Sequence, residues 1–249
     1  MATSTATHHP VVSQQEWLEA RKALLAKEKE ATHLRDTLNK DRMALPWVKV
    51  DKEYTFDTKD GKKTLAELFG DRSQMIVYHF MFAPDWEAGC PGCSFLSDHL
   101  DGALPHLEHH DVTVVAVSRA PLAKIEAYRK RMGWKFPWVS SFGSEFNFDY
   151  GVSFTKEQVA EGSLYNYEKT PGRADAADSE LPGMSAFTKD EAGNVFHTYS
   201  AYGRGSEEWI GALMILDQAP KGRNEEQTMD FVKRHDEYED TPKAHDCCH

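Results

Sequence analysis

Residues 74–100, QMIVYHFMFAPDWEAGCPGCSFLSDHL, decide the fold of this chain. An apolar run typical of a buried strand leads through a short acidic loop to Cys90-Pro91-Gly92-Cys93, and a helical pattern follows. A CxxC sequence at such a junction holds two sulfurs within bonding reach. Its first cysteine lies at a helix N-terminus, where unpaired N–H groups and the helix dipole stabilise a thiolate. The stretch therefore predicts reactive sulfur chemistry at Cys90 and Cys93.

A zinc site and an inert pair are the alternatives for these two cysteines. Structural zinc normally needs four ligands, and the only other cysteines are Cys247 and Cys248, whose adjacent thiols suit one tetrahedral ion poorly. A second run of candidate ligands, His106, His109 and His110, is more typical of a solvated helix end. We expect no metal and no cofactor, and we keep a non-enzymatic redox or metal-binding module as a third hypothesis.

Length, charge and apolar content narrow the classes of function. The chain has 249 residues, enough for one large domain with extensions, and a formal net charge of -11, which argues against a nucleic-acid partner. It contains no apolar run of membrane-spanning length, and its start, MATSTATHHPVVS, lacks the basic and apolar segments of a secretory signal. We therefore expect a cytoplasmic protein with no membrane partner. In the reducing cytoplasm, a CxxC sequence is more often catalytic than a permanent disulfide.

A long amphipathic helix is predicted near the N-terminus. Ser13 and Glu16 have the spacing of a capping box. Apolar residues then recur at nearly heptad spacing and form one stripe, which consists of Trp17, Leu18, Leu24, Leu25, Ala31, Leu34 and Leu38. The stripe could pack on the chain's own domain or against a second copy, so a homodimer through this helix is one expectation.

Strands and helices alternate along the rest of the chain. The pattern predicts a hairpin at 53–62, strands at 75–82, 112–117 and 136–140, helices after 93 and 121, a loop with helical fragments at 141–180, a hairpin at 184–200 and a last helix at 207–216. His79, inside the first of these strands, is more typical of a core histidine bonded to a neighbour than of a site residue. This order predicts an α/β fold with helices on both faces of a central mixed sheet.

The same order, with a CxxC at a helix N-terminus and a proline before the last hairpin, resembles the thioredoxin-like superfamily and, in its leading hairpin and VVAVS strand, the peroxiredoxin-related branch. More closely, the stretches YHFMFAPDWEAGCPGCSFLSDHL, VTVVAVSRAPLAKIEAYRKRMGW, LPGMSAF and HTYSAYGRG are similar to the DUF899 family of bacterial thioredoxin-like proteins. The resemblance implies a thioredoxin-like domain over residues 45–222, between an N-terminal tail and amphipathic helix (1–44) and a charged C-terminal tail (223–249). It also implies a dithiol–disulfide oxidoreductase whose disulfide or thiol substrate and reductant are unknown.

By position in the family pattern, Cys90 would be the attacking thiol and Cys93 the resolving thiol. Pro182 is the nearest match to the cis-proline that thioredoxin-like proteins keep opposite the dithiol. With a cis bond, it would place the preceding backbone beside the sulfurs, where that backbone could pair with an extended substrate chain.

The chain also departs from the peroxiredoxin pattern. Pro84 is present, but Glu87 stands where that branch needs a Thr or Ser three residues before its peroxidatic cysteine. A thiol peroxidase is therefore the second hypothesis, and we expect Arg119 and Arg204 to lie in surface positions or loops. Two acidic side chains of the loop, those of Asp85 and Glu87, are expected to oppose formation of the Cys90 thiolate by like-charge repulsion.

Overall fold

A computed structural model describes residues 9–172 and 179–239 of the chain. The expectations for the extreme N-terminus and for Cys247 and Cys248 lie outside these residues. The chain divides into two compact units, one that ends at Pro46 and one that begins at Trp47. Within the described ranges, every helix is too short or too polar to cross a lipid bilayer.

The N-terminal unit is dominated by one helix, α1 (Gln14–Met43). Ser13 is its N-cap: its side chain accepts the Glu16 N–H, and the Glu16 carboxylate accepts the Ser13 N–H, so the predicted capping box is confirmed. No residue of α1 is buried, and Trp17 and Leu34 are among its exposed apolar side chains. A homodimer contact through this stripe stays a prediction.

The second unit is built on an eight-stranded sheet with short helices around it. Its sheet strands are β1 (Val48–Lys49), β2 (Thr55–Thr58), β3 (Gly61–Thr64), β4 (Gln74–His79), β5 (Val112–Ser118) and β6 (Trp138–Ser140) in the first part of the chain. Short pairs follow as β7 (Ser153–Phe154), β8 (Leu164–Tyr165), β9 (Glu168–Lys169) and β10 (Ser179–Glu180), before the long strands β11 (Gly183–Lys189) and β12 (Val195–Tyr202). The α-helices of this unit are α2 (Pro91–Ser97), α3 (Leu104–His109), α4 (Leu122–Met132), α5 (Phe146–Asp149), α6 (Lys156–Glu161) and α7 (Gly211–Leu216).

The strand order β1-β12-β11-β4-β5-β6-β2-β3 gives the fold class. β4, β5 and β6 are parallel, and β11 and β12 form a hairpin that pairs antiparallel with β4. The CxxC helix α2 leads from β4 towards its parallel neighbour β5, and α7 follows the hairpin. This is the thioredoxin-like arrangement in a mixed sheet, as the sequence predicts.

Side chains alternate between two apolar layers because successive residues of a strand point to opposite faces of a sheet. On β4, Met75 and Val77 pack in one layer with Phe56. Tyr78 and Phe80 pack in the other layer, whose helical members come from α2, α4 and α7: Leu96, Ile125, Tyr128 and Leu213. The dithiol lies in this second layer.

Two regions differ from the predicted elements. The segment 141–180 contains short strand pairs as well as the expected helical fragments. The predicted last helix is split into a 3-10 helix, Gly203–Trp209, and α7, with Ile210 between them in a non-helical conformation at ψ 81° and its side chain buried. His99 explains the new start, because its Nε2 accepts the Ala212 N–H, 3.1 Å away, at the beginning of α7.

Candidate active site

The loop between β4 and α2 places Cys90 at the N-cap of α2, with Pro91 in its first turn. The Cys90 N–H donates to the Met81 carbonyl at 3.1 Å, so the loop folds back onto the residues that leave the strand. Gly89 allows this close return. A Cβ at position 89 would lie 2.6 Å from the buried Phe80 ring and 2.9 Å from that of Tyr128, so no larger residue fits without a shift of the core.

The two thiols are free and lie in different environments. Cys90 is partly exposed, whereas Cys93, one turn inside the helix, is only 3% exposed and accepts the Met81 N–H at 3.5 Å. A hydrogen bond from the Cys93 thiol lowers the pKa of Cys90 to about 6, against burial, which raises it. The backbone N–H groups of Cys93 and Gly92 and the charge of Arg234 act in the same direction as the thiol. Cys90 is therefore largely a thiolate at neutral pH.

Cys93 has the opposite electrostatics. Burial raises the pKa of Cys93 well above its ordinary value, and the hydrogen bond to Cys90 and the charge of Cys90 raise it further. Two groups act against this shift, because hydrogen bonds from the Tyr78 hydroxyl and the Met81 N–H favour a Cys93 thiolate. The buried thiol therefore keeps its proton while Cys90 is charged, and the two sulfurs differ strongly in acidity.

The expected repulsion by the acidic loop does not dominate at Cys90. Asp85 and Glu87 are both exposed, where water screens their charges, and the pKa of Cys90 is lowered despite them. On the other side of this loop, the Lys124 ammonium donates to the carbonyls of Pro84 and Trp86, each at 3.1 Å. The positive charge of Lys124 therefore lies at the carbonyl groups of this loop.

The two arginines of the peroxiredoxin comparison have different positions. Arg204 is a surface residue, with its side chain 74% exposed. Arg119 lies in the loop after β5, which is one of the two expected settings, but its side chain is only 12% exposed and pairs with the buried Glu180 at 3.1 Å between Nε and Oε1. A buried carboxylate needs such a partner, because an unpaired charge away from water is costly. Arg119 forms this ion pair with Glu180, and its Cζ lies over the Phe148 ring, 4.6 Å from the ring centroid.

Pro182 does not have the predicted cis bond, because the described residues contain no cis peptide bond. The Leu181 N–H donates to the Val152 carbonyl at 2.8 Å, and the Pro182 carbonyl accepts the Tyr165 hydroxyl at 2.6 Å. These groups are therefore already paired within the protein. Burial raises the pKa of Tyr165 to about 12, and the charge of Cys93 acts in the same direction. The role of Pro182 as a site residue stays a prediction.

His79 is a core residue, as expected. Its side chain is 1% exposed, and Nε2 lies 2.8 Å from the Ser185 hydroxyl, which continues to Ser200 and His197. Burial, and to a lesser extent the charge of His197, lowers the pKa of His79 to about 3, so this imidazole is neutral. Its Nδ1 has no hydrogen-bond partner among residues 9–172 and 179–239. His79 is thus the last member of a buried series of hydrogen-bonded side chains. This series lies on the face of the sheet opposite the dithiol.

In the part of the chain that the structure describes, no group of three or more His, Cys, Asp or Glu side chains could hold a metal ion. The rings of His109 and His110 lie at the end of α3 and face each other edge to face, 6.2 Å apart. The third candidate, His106, lies on α3 itself. These histidines occupy a helix end, which is the setting that the sequence favoured for them.

Sequence reasoning missed the residues that reach the dithiol from the C-terminal segment. Met229 and Arg234 both contact the neighbourhood of Cys90, although the sequence predicts only a charged tail there. The spacing of Met229 and Arg234 does not correspond to a sequence motif. The apolar residues Met229 and Phe231 within an otherwise charged segment are the one local feature that could have indicated packing.

Solved structures with similar chain courses include peroxidoxin BcpB from Mycobacterium tuberculosis, with 12% identity and a TM-score of 0.45 over 69% of this chain and 97% of that chain. Another is the bacterioferritin comigratory protein of Xanthomonas campestris, with 14% identity and a TM-score of 0.42 over 67% of this chain and 92% of that chain. No curated protein matches the chain. The family model described as "Bacterial protein of unknown function (DUF899)" matches residues 6–238, and the chain belongs to this family.

Proposed function

We propose that this protein is a thiol–disulfide oxidoreductase that uses the dithiol of Cys90 and Cys93. The observation that carries the proposal is the asymmetry of the pair. The pKa of Cys90, a partly exposed residue, is lowered to about 6, whereas the pKa of the buried Cys93 is raised. An attacking thiol must be accessible and ionised, and a resolving thiol must wait nearby in the protonated state.

In the first step, the Cys90 thiolate attacks one sulfur of a substrate disulfide. A bond forms between Cys90 and that sulfur, the substrate S–S bond breaks, and the second substrate sulfur leaves as a thiolate. In the mixed disulfide, Cys90 no longer carries a negative charge. The charge of Cys90 is one cause of the raised pKa of Cys93, so forming the mixed disulfide makes the buried thiol more acidic.

In the second step, Cys93 loses its proton to solvent or to the departing thiolate and attacks Cys90. The Cys90–Cys93 disulfide forms, and the first substrate sulfur leaves as a thiolate, which takes up a proton from solvent. The Tyr78 hydroxyl and the Met81 N–H support this step, because both stabilise negative charge on Cys93. The substrate disulfide has then been reduced by two electrons, and an external thiol or dithiol must reduce the protein again.

The test uses a variant with Cys247→Ser and Cys248→Ser as its background, because the tail thiols could react on their own. In this background, the reduced protein should reduce a chromogenic aromatic disulfide and insulin when a dithiol donor is present. Cys93→Ser should accumulate a mixed disulfide on Cys90, detected by mass spectrometry, and Cys90→Ser should lose exchange. Failure of the background protein to exchange with either disulfide, with its thiols intact, would overturn the proposal.

A peroxide is the second candidate acceptor, and the low pKa of Cys90 is the observation in its favour. The Cys90 thiolate would attack the O–O bond to give a sulfenic acid and release water or an alcohol after protonation. Cys93 would then condense with the sulfenic acid, forming the disulfide and releasing water. Peroxide consumption by the background protein that Cys90→Ser abolishes supports this activity, and consumption that survives the substitution excludes Cys90 as its nucleophile.

A further inference from the structure

The segment 225–239, which we call the C-terminal strap, contacts the residues on both sides of Cys90. On one side, a Cβ at Gly92 would lie 3.4 Å from the Met229 methyl and 3.9 Å from the Cys90 sulfur, so that methyl group lies beside the dithiol loop. On the other side, the Arg234 guanidinium donates to the Gly89 carbonyl from Nη2 at 2.7 Å and from Nε at 3.1 Å. The strap therefore brackets the attacking cysteine.

Arg234 is held in this position by its own segment. Its Nη1 donates to both carboxylate oxygens of Glu237, at 2.9 and 3.1 Å, and its side chain is 17% exposed. Arg131 on α4 also holds this part of the strap. Its Nε and Nη2 donate to the Asp236 carboxylate at 2.7 and 3.0 Å, and its Nη2 donates to Glu237 at 2.9 Å. A fork-shaped guanidinium bonded in this way has a defined place and direction.

Two further contacts fasten the strap to the dithiol helix. The Phe231 ring packs edge to face on Phe95 of α2, with centroids 6.2 Å apart. His235 Nδ1 lies 2.7 Å from Asp98 Oδ1. The strap is thus joined to α2 and α4 by apolar and polar contacts along its length, and Arg234 is the cation that this path brings to the residue before Cys90.

We propose that Arg234 is a positioning residue of the dithiol site, which holds the Gly89–Cys90 peptide in place and stabilises the Cys90 thiolate with its charge. The assignment deepens the proposed function and rests on Cys90 being the attacking thiol. It makes the strap part of the active site, although the strap is far from the CxxC in sequence. A guanidinium cannot lose its charge at physiological pH, so its effect on Cys90 is constant and does not depend on a second titration.

The electrostatics around Cys90 agree with this role. The charge of Arg234 is one of the causes that lower the pKa of Cys90, after the hydrogen bond from Cys93 and the backbone N–H groups. Glu237 opposes the effect because it pairs with the same guanidinium, but Arg131 shares that carboxylate. Other ionisable side chains near the dithiol include Tyr78 and Tyr165, which interact with Cys93, and Tyr128, which interacts with Arg234.

The experiment measures the rate of alkylation of Cys90 by iodoacetamide as a function of pH, with the Cys90 peptide quantified by mass spectrometry. The proteins compared are the full-length chain and its Arg234→Gln, Arg234→Lys and Arg223→Gln variants. Arg223 is the matched control, because it is also a paired arginine of the C-terminal region but bonds to Glu207 and Asp217. Tryptophan fluorescence spectra establish that each variant is folded.

We expect Arg234→Gln to raise the midpoint of the profile by about half a pH unit, which is about a threefold loss of rate below the midpoint. Arg234→Lys should raise it less because the charge remains, and Arg223→Gln should leave it unchanged. An unchanged midpoint in Arg234→Gln, an equal rise in the Lys and Gln variants, or an equal rise in Arg223→Gln would overturn the assignment. Alkylation needs no substrate disulfide, so a shifted midpoint in a protein without exchange activity would sink the proposed function and leave the role of Arg234 standing.

Discussion

The ionisation of Cys90 should make the stability of the reduced protein depend on pH. The pKa of Cys90 is about 6 in the folded state and 9.0 as the ordinary value. Between these values, the folded protein carries a thiolate where the unfolded chain carries a thiol, so unfolding takes up a proton. By linkage, the contribution of Cys90 to the free energy of unfolding rises with pH in this window and is lost as pH falls through about 6.

The size of this contribution follows from the shift. A full proton taken up on unfolding changes the free energy by about 1.4 kcal/mol per pH unit. Only half of Cys90 is ionised near its midpoint, so we expect about 2 kcal/mol more stability from Cys90 at pH 8 than at pH 6. Cys93 adds little in this window, because the thiol is protonated in the unfolded chain, where its ordinary pKa is 9.0, and burial raises its pKa further in the folded state.

The measurement is urea denaturation at pH 6, 7 and 8 under reducing conditions, followed by the fluorescence of the six tryptophans. Histidines also titrate in this range, so the quantity to use is the difference between the wild type and Cys90→Ser, in which their contributions cancel. This difference should grow with pH by the amount given above. A difference that is the same at all three pH values would refute the lowered pKa of Cys90 and the reasoning built on it.

Three further substitutions test the surroundings of the dithiol and the buried series of hydrogen-bonded side chains at His79. Cys93→Ala should raise the midpoint of Cys90 alkylation by more than about one pH unit, because it removes the largest cause of the lowered pKa; an unchanged midpoint would contradict the thiol hydrogen bond. Gly89→Ala should cost about 1–3 kcal/mol of stability in urea denaturation, since its Cβ would lie 2.6 Å from a buried aromatic ring; wild-type stability would show that this ring moves freely. Ser185→Ala should cost about 1–3 kcal/mol, because it leaves the buried His79 without its Nε2 partner, and an unaffected free energy of unfolding would argue against that hydrogen bond.

The features that the sequence predicts well are those fixed by neighbouring residues. The capping box of Ser13 and Glu16 starts α1 where the pattern places it, because both partners lie within one helical turn. The buried run in β4 and the start of α2 at Pro91 are local in the same sense. Gly133, in the left-handed conformation at φ 71°, ends α4, which is the usual role of a glycine directly after a helix.

The features that sequence reasoning missed depend on contacts between distant parts of the chain. A continuous helix through residues 207–216 satisfies local propensity, but the fold buries Ile210 in a non-helical conformation, and His99 caps the new helix start. Arg119 has the usual appearance of a surface arginine until Glu180, far along the chain, is brought beside it. The bond before Pro182 is trans, whereas the resemblance implied a cis bond.

The CxxC sequence shows that the effects of the motif and the effects of the surrounding fold must be considered separately. The spacing places two chemically identical thiols on one helical turn, where the Cys93 thiol and the N–H groups of Gly92 and Cys93 favour ionisation of Cys90. Their difference comes from position: Cys93 lies in the apolar layer beside Tyr78, and Cys90 lies at the helix start, where N–H groups and Arg234 act on it.

The contacts that stabilise the Cys90 thiolate act on the reduced pair alone, because a disulfide has no thiolate. They therefore raise the reduction potential of the pair by about 30 mV for each 1.4 kcal/mol, so the contacts that make Cys90 reactive also make the disulfide a better electron acceptor.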